Sequence, residues 1–87
     1  MVEVTVYNAT ATATLHSGTG VLRGACLTAG ADAATAVIRT GGSGGTVIAT
    51  LGAGIGLSVN FLPAFLIPYS NLHVTITGTT PKLTAYV

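Results

Sequence analysis

Apolar and polar residues alternate with a period of two along almost the whole chain, the spacing of a strand with one buried face. Near the N-terminus Val2, Val4 and Val6 share one face and Glu3, Thr5 and Tyr7 the other. From Ala9 the phase is inverted, with Ala9, Ala11, Ala13 and Leu15 opposing Thr10, Thr12, Thr14 and His16. One extra residue at Asn8 accounts for the inversion, as a bulge, a turn or the joint of a separate arm. Residues 1–8 are therefore read as an N-terminal strand or arm, and residues 9–87 as one domain.

The alternation then recurs. Ala34, Ala36 and Ile38 oppose Thr35, Val37 and Arg39, and Val47, Ala49 and Leu51 oppose Thr46, Ile48 and Thr50. Leu57, Val59 and Phe61 oppose Ser58 and Asn60; Leu72, Val74 and Ile76 oppose His73, Thr75 and Thr77; Leu83, Ala85 and Val87 oppose Lys82, Thr84 and Tyr86. Gly20–Ala29 adds a strand of less regular pattern. No window carries a 3.6-residue stripe, and the many threonines and valines suit a pleated surface. "TAGADAAT" has room for one helical turn at most. About eight short strands divided by Gly, Pro, Ser and Asn clusters predict an all-β fold, a compact antiparallel β-sandwich or jelly-roll-like domain. Sandwich, jelly roll and small barrel share this pattern, so strand order stays open.

Seven glycines fall between Arg39 and Gly56, which raises the question of a phosphate-binding loop. A Walker loop needs a lysine after its last glycine, and the only lysine, Lys82, is far away. "GAGIG" at Gly52 has the wrong spacing for a dinucleotide fingerprint, and in "GTGVLRG" Arg23 stands where the third glycine belongs. No helical pattern follows either one, so no helix N-terminus would meet the anion. The glycines read instead as hairpin connections, "GGSGG" before "TVIATL" and "GAG" before "GLSVNF", where glycine supplies positive φ.

Charge changes the picture more than any motif. The 87 residues include three Lys and Arg and two Asp and Glu, for a net charge of +1. Surface scaling gives a folded area of roughly 4,700 Å², and so one charge per roughly 900 Å². A free monomer with such a surface is expected to self-associate, so the chain reads as a subunit. The outward faces are mainly threonine, short and uncharged, which packs against protein at little desolvation cost. Segments such as "TVIATL" and "HVTITG" carry no charged residue to discourage edge pairing.

Candidate chemistry is sparse. His16 and His73 fall on threonine-bearing faces without an acidic or cysteine partner at ligand spacing, so no metal site is expected within one chain. Cys26, the single cysteine, forms no intrachain disulfide and reads as a buried inert thiol. Glu3 and Asp32 are the only carboxylates; Glu3 lies in the arm and Asp32 in a loop, where it caps a turn. Ser58, His73 and Asp32 make a catalytic constellation on paper only, since no nucleophile elbow accompanies them. We expect no enzyme, no catalytic, cofactor-binding or metal residues and no cofactor. Three dispersed basic residues argue against nucleic acid as a partner. A membrane is not expected either: "FLPAFLIPY" from Phe61 is too short to span and holds two prolines, although a barrel assembled from several chains stays open. "MVEVTVYNAT" lacks the features of a signal peptide, so the "NAT" sequon at Asn8 is taken as accidental.

Several segments resemble a group of small structural proteins of tailed bacteriophages. These are "GADAATAVIRT" from Gly30, a Gly/Ser turn, "GTVIATL" from Gly45, "GLSVNF" from Gly56, "PAFLIPYSNLHVTITGTTP" from Pro63 and the closing "LTAYV". The resemblance spans roughly residues 15–87. It implies an all-β virion component, assembled in the bacterial host cytoplasm, that decorates or cements the capsid as a homo-oligomer, a trimer by family analogy, with the major capsid protein as partner. The turn "RTGGSGGT" departs from the group, whose members often carry an acidic residue and fewer glycines there. A different class, an adhesion or carbohydrate-binding module on a tail or fibre, would need exposed aromatics around a groove. Tyr7, Tyr69 and Tyr86 are the available rings.

Overall fold

The structure is a computed structural model that describes residues 5–61 and 66–87. Eight strands follow one another along the chain: β1 (Val6–Ala9), β2 (Ala13–Leu22), β3 (Gly24–Thr28), β4 (Ala34–Thr40), β5 (Thr46–Ala53), β6 (Ser58–Phe61), β7 (Ile67–Thr77) and β8 (Lys82–Tyr86). They form two four-stranded antiparallel sheets, one in the order β1-β8-β3-β6 and the other β2-β7-β4-β5. The all-β expectation therefore takes the form of a sandwich. The folded chain exposes 4717 Å², the area expected of a compact chain of this mass, so the few charges are spread over a full-sized surface.

The core lies between the sheets and follows the alternation. Ala25 and Leu27 of β3 stand opposite Ala85 and Leu83 of β8. From the other sheet come Leu22, Ala36, Ile38, Leu51, Leu72, Val74 and Ile76, all buried. Alanines fill many of the remaining inward positions, so the large side chains Leu22, Leu27, Ile38, Leu72 and Leu83 carry most of the apolar burial, each worth roughly 1.5–3 kcal/mol.

Only β4 and β5 are neighbours both in sequence and in a sheet. Their connection contains Gly41 and Gly42 at φ 91° and 87°, backbone that glycine adopts without strain. "GGSGG" is thus the expected hairpin. "GAG" is not one: Gly52 and Ala53 lie inside β5, and the chain then crosses to the other sheet, where β6 pairs with β3. Leu51 and Ala53 are both buried, so the strand runs on until its core face is spent.

Register corrects the sequence phases at four places. In β1, Tyr7 pairs with Ala85 and Ala9 with Leu83, so Tyr7 faces inward and Val6, 48 % exposed, faces out. The inversion at Asn8 therefore needs no extra residue, and β1 runs across the position between residues 8 and 9. Residues 1–4 of the expected arm lie outside the described residues. The strands expected over 9–16 and 20–29 are redrawn: Thr10–Thr12 bends, β2 continues through Gly20 to Leu22, and Arg23 is the joint before β3. Register shifts in β2 between Thr14 and His16 and between His16 and Thr19 bring His16 onto the side of Leu72. A further shift between Ile38 and Arg39, opposite Ile48, turns Ile48 against the core and leaves Val47 48 % exposed. A bulge adds one residue to one strand and so reverses the faces beyond it.

Candidate functional site

The features that can meet a partner are the outer faces, the edges and the loop tips. Among the described residues no cavity is found and no three His, Cys, Asp or Glu side chains gather to hold a metal ion.

The outer face of the β1-β8-β3-β6 sheet has a central row Asn8–Thr84–Cys26–Asn60. Thr84 donates its hydroxyl to Asn8 Oδ1 at 2.9 Å, and the hydroxyls of Thr28 and Ser58 share a hydrogen bond of 2.9 Å. Cys26 is half-buried on this outer row and not in the core as expected, because Ala25 and Leu27 take the inward positions beside it. The opposite outer face carries Thr35 beside Thr77, and Val37 between Thr75 and Thr50. Arg39 donates from Nη1 to Thr75 Oγ1 at 3.1 Å, so its charge is tied down on a half-buried side chain. His73 keeps the outer position read for it, paired with Thr14 and Arg39. It is nevertheless buried, and its Nδ1 shares a long 3.4 Å hydrogen bond with Thr14 Oγ1. These faces are polar with one charged strand residue each, Arg39 here and Lys82 on the other, and several of their hydroxyls and amides bond to one another.

His16 has a different setting from the one read for it. Its ring stacks on Tyr7 at a centroid distance of 5.5 Å and meets Tyr69 edge-on at 5.6 Å. His16 Nδ1 and the Tyr69 hydroxyl share a 2.6 Å hydrogen bond. Tyr69 is 4 % exposed and lies across Gly20, its pairing partner; a Cβ on Gly20 would collide with the phenol ring. The strand opposite is held in its irregular path by Asn71, at φ 56°, whose Oδ1 accepts from the Gly18 N–H at 2.9 Å. Burial, and then the neighbouring Tyr7, raise the Tyr69 pKa above the ordinary tyrosine value. Pattern reading missed this cluster because it depends on the two bulges of β2; Gly18 and Gly20 were the signal available.

The remaining residues stay apart. Thr79 donates to Asp32 Oδ2 at 2.6 Å, so Asp32 ties the β3–β4 loop to the β7–β8 loop, a bond across two loops where a cap on its own turn was expected. Ser58 lies on the outer face of one sheet and His73 on that of the other, so the paper constellation with Asp32 does not assemble. Glu3 lies outside the described residues, as do residues 62–65 of the "FLPAFLIPY" segment. Among the described residues the exposed large apolar side chains are Val6, Val47, Ile55, Leu57, Leu66 and Tyr86. With Tyr69 buried and Tyr7 half-buried under His16, Tyr86 is the one tyrosine counted as exposed.

Comparison with protein families, curated proteins and solved structures finds no match to the chain.

Proposed function

We propose that the chain is a non-enzymatic structural protein of a tailed-phage virion, which decorates or cements the capsid as a homo-oligomer bound to the major capsid protein. The observation that carries this reading is the chemistry of the outer faces: threonine, asparagine and serine alternate there with other uncharged residues such as Cys26 and Val37, and Arg39 and Lys82 are the charged strand residues among them. Such a surface loses water to a protein partner cheaply because few charges need desolvating and some of its hydroxyls, those of Thr28, Ser58, Thr75 and Thr84 among them, already have partners. The resemblance in sequence supplies the capsid as that partner. Ile55 and Leu57, 67 % and 63 % exposed at a loop tip, supply apolar anchors of the kind found at the centre of contacts.

In this mechanism each copy lies across neighbouring capsid subunits and adds interface area that must be broken before the shell can open. A glycan-binding role has less support, since two of the three tyrosines it would use are turned inward. The test is co-sedimentation with undecorated capsids of the phage that encodes the chain. Saturable binding at a fixed ratio to capsid subunits is expected, and a chain that stays in the supernatant at micromolar concentration overturns the reading.

A further inference from the structure

Four strands form the edges of the two sheets among the described residues: β1, β6, β2 and β5. Open edges are templates for pairing with another chain, and proteins blunt them by shortness, bulges, charge or proline. β1 and β6 are four residues each. β2 is ten residues long but broken by two register shifts. β5 is different: eight residues, "TVIATLGA", without charge or proline, with a single bulge at Ile48 near its start and then paired residue for residue with β4 from Ala49 to Ala53.

We infer that β5 pairs antiparallel with β5 of a second copy of this chain across a two-fold axis, joining two four-stranded sheets into one of eight strands. A second copy is the occupant for two reasons. First, a two-fold axis lays a strand alongside its own copy, so charges of one sign on it would gather at the contact; β5 has none. Second, the exposed apolar residues flank the strand at both ends, Val47 near its start and Ile55 and Leu57 in the turn just after it. Antiparallel pairing centred on Leu51 brings the Gly54–Leu57 turn of one copy to the Val47 end of the other, and the reverse. One contact then covers both exposed ends twice, and the contact is isologous, as a closed dimer requires. The strand ladder supplies direction and register, and the end contacts enlarge it toward the roughly 1,200 Å² of a stable interface.

The inference rests on the self-association in the proposed function and not on the capsid partner, and it replaces the trimer of the resemblance with a dimer. The experiment is solution mass by light scattering after size exclusion, across a hundredfold dilution, on three chains: the natural one, Thr50→Lys and Thr19→Lys. Thr50 and Thr19 are both exposed, on β5 and β2 respectively. The natural chain and Thr19→Lys are expected to be dimers. Thr50→Lys is expected to be a monomer with unchanged thermal unfolding, its dissociation constant raised at least tenfold. Val47→Lys takes its place if Thr50→Lys does not fold. A natural chain that is monomeric throughout or trimeric, or a Thr50→Lys chain that stays dimeric, overturns the inference. A dimer that fails to co-sediment with capsids leaves it standing and removes the virion reading instead.

Discussion

Where β1 lies over β2, the gap between the sheets is closed by rings: Tyr7 from one sheet stacks on His16 from the other, and His16 is hydrogen-bonded to buried Tyr69. Nearby, the Thr12 hydroxyl accepts from the Ile76 N–H at 3.0 Å, fastening the start of β2 to β7. Where β6 lies over β5, the closure is purely apolar and partial: Ile48, Val59 and Phe61 pack against the core only in part. Beyond them Val47, Ile55 and Leu57 stand in water. The first side ties its rings together by stacking and a hydrogen bond within one chain, and Val6 and Tyr86 are the apolar side chains it leaves exposed on its outer face. The second leaves Val47, Ile55 and Leu57 and a strand edge that is regular from Ala49 to Ala53 uncovered, the arrangement of a side that a partner completes.

The strongest way to break this contrast is to remove the keystone of the closed side. Tyr69→Ala is expected to cost about 3–5 kcal/mol, the range for truncating a buried aromatic, and to lower the Tm by about 12 °C or more for a domain of this size. A loss under about 1 kcal/mol by thermal or urea unfolding would show that this side is as loosely closed as the other. Alkaline titration sharpens the same point. The folded pKa of Tyr69 is raised, so burial favours the neutral phenol. The stability this contributes is full below the unfolded value of about 10 and is lost as pH rises through the folded value. Absorbance near 295 nm should show one tyrosine, absent in Tyr69→Phe, ionising after the others and together with unfolding. The smallest effect belongs to the open side. Leu57→Ser should change the stability of the isolated chain by no more than about 0.5 kcal/mol while weakening self-association; a larger loss of stability would mean that the turn supports its own fold.

The sequence reading succeeded where strands are regular. β4, β7 and β8 pair with clean alternation over Ala34–Ile38, Leu72–Ile76 and Leu83–Ala85, and the core expected from those positions is the core observed. It failed where one strand slips against its partner. A bulge is a property of a pair, so the faces of His16, Ile48 and Val47 could not be read from their own neighbours in sequence. Tyr7 was misplaced for a related reason: valines at 2, 4 and 6 outvoted a single tyrosine, whereas pairing with β8 decides which face of β1 is buried. The candidate site was legible only as composition. Scarce charge and abundant threonine foretold polar, sparsely charged faces, but neither says which of four edges is left unblunted.

The order of strands also bears on how the chain reaches its fold. β8 sits between β1 and β3, so that sheet has a vacancy at its centre until Lys82–Tyr86 is in place. The β4–β5 hairpin can close locally, but β1 must wait for a partner more than seventy residues away, as Tyr7 pairs with Ala85. Such long-range pairing is slow. The other sheet likewise lacks its centre until β7 is made, so during synthesis the β4–β5 hairpin alone can form early and stand ready while both sheets are incomplete. The unblunted edge is then exposed to neighbouring nascent chains before the sandwich has closed, and the timing of β8 governs whether copies meet as finished subunits or tangle on the way.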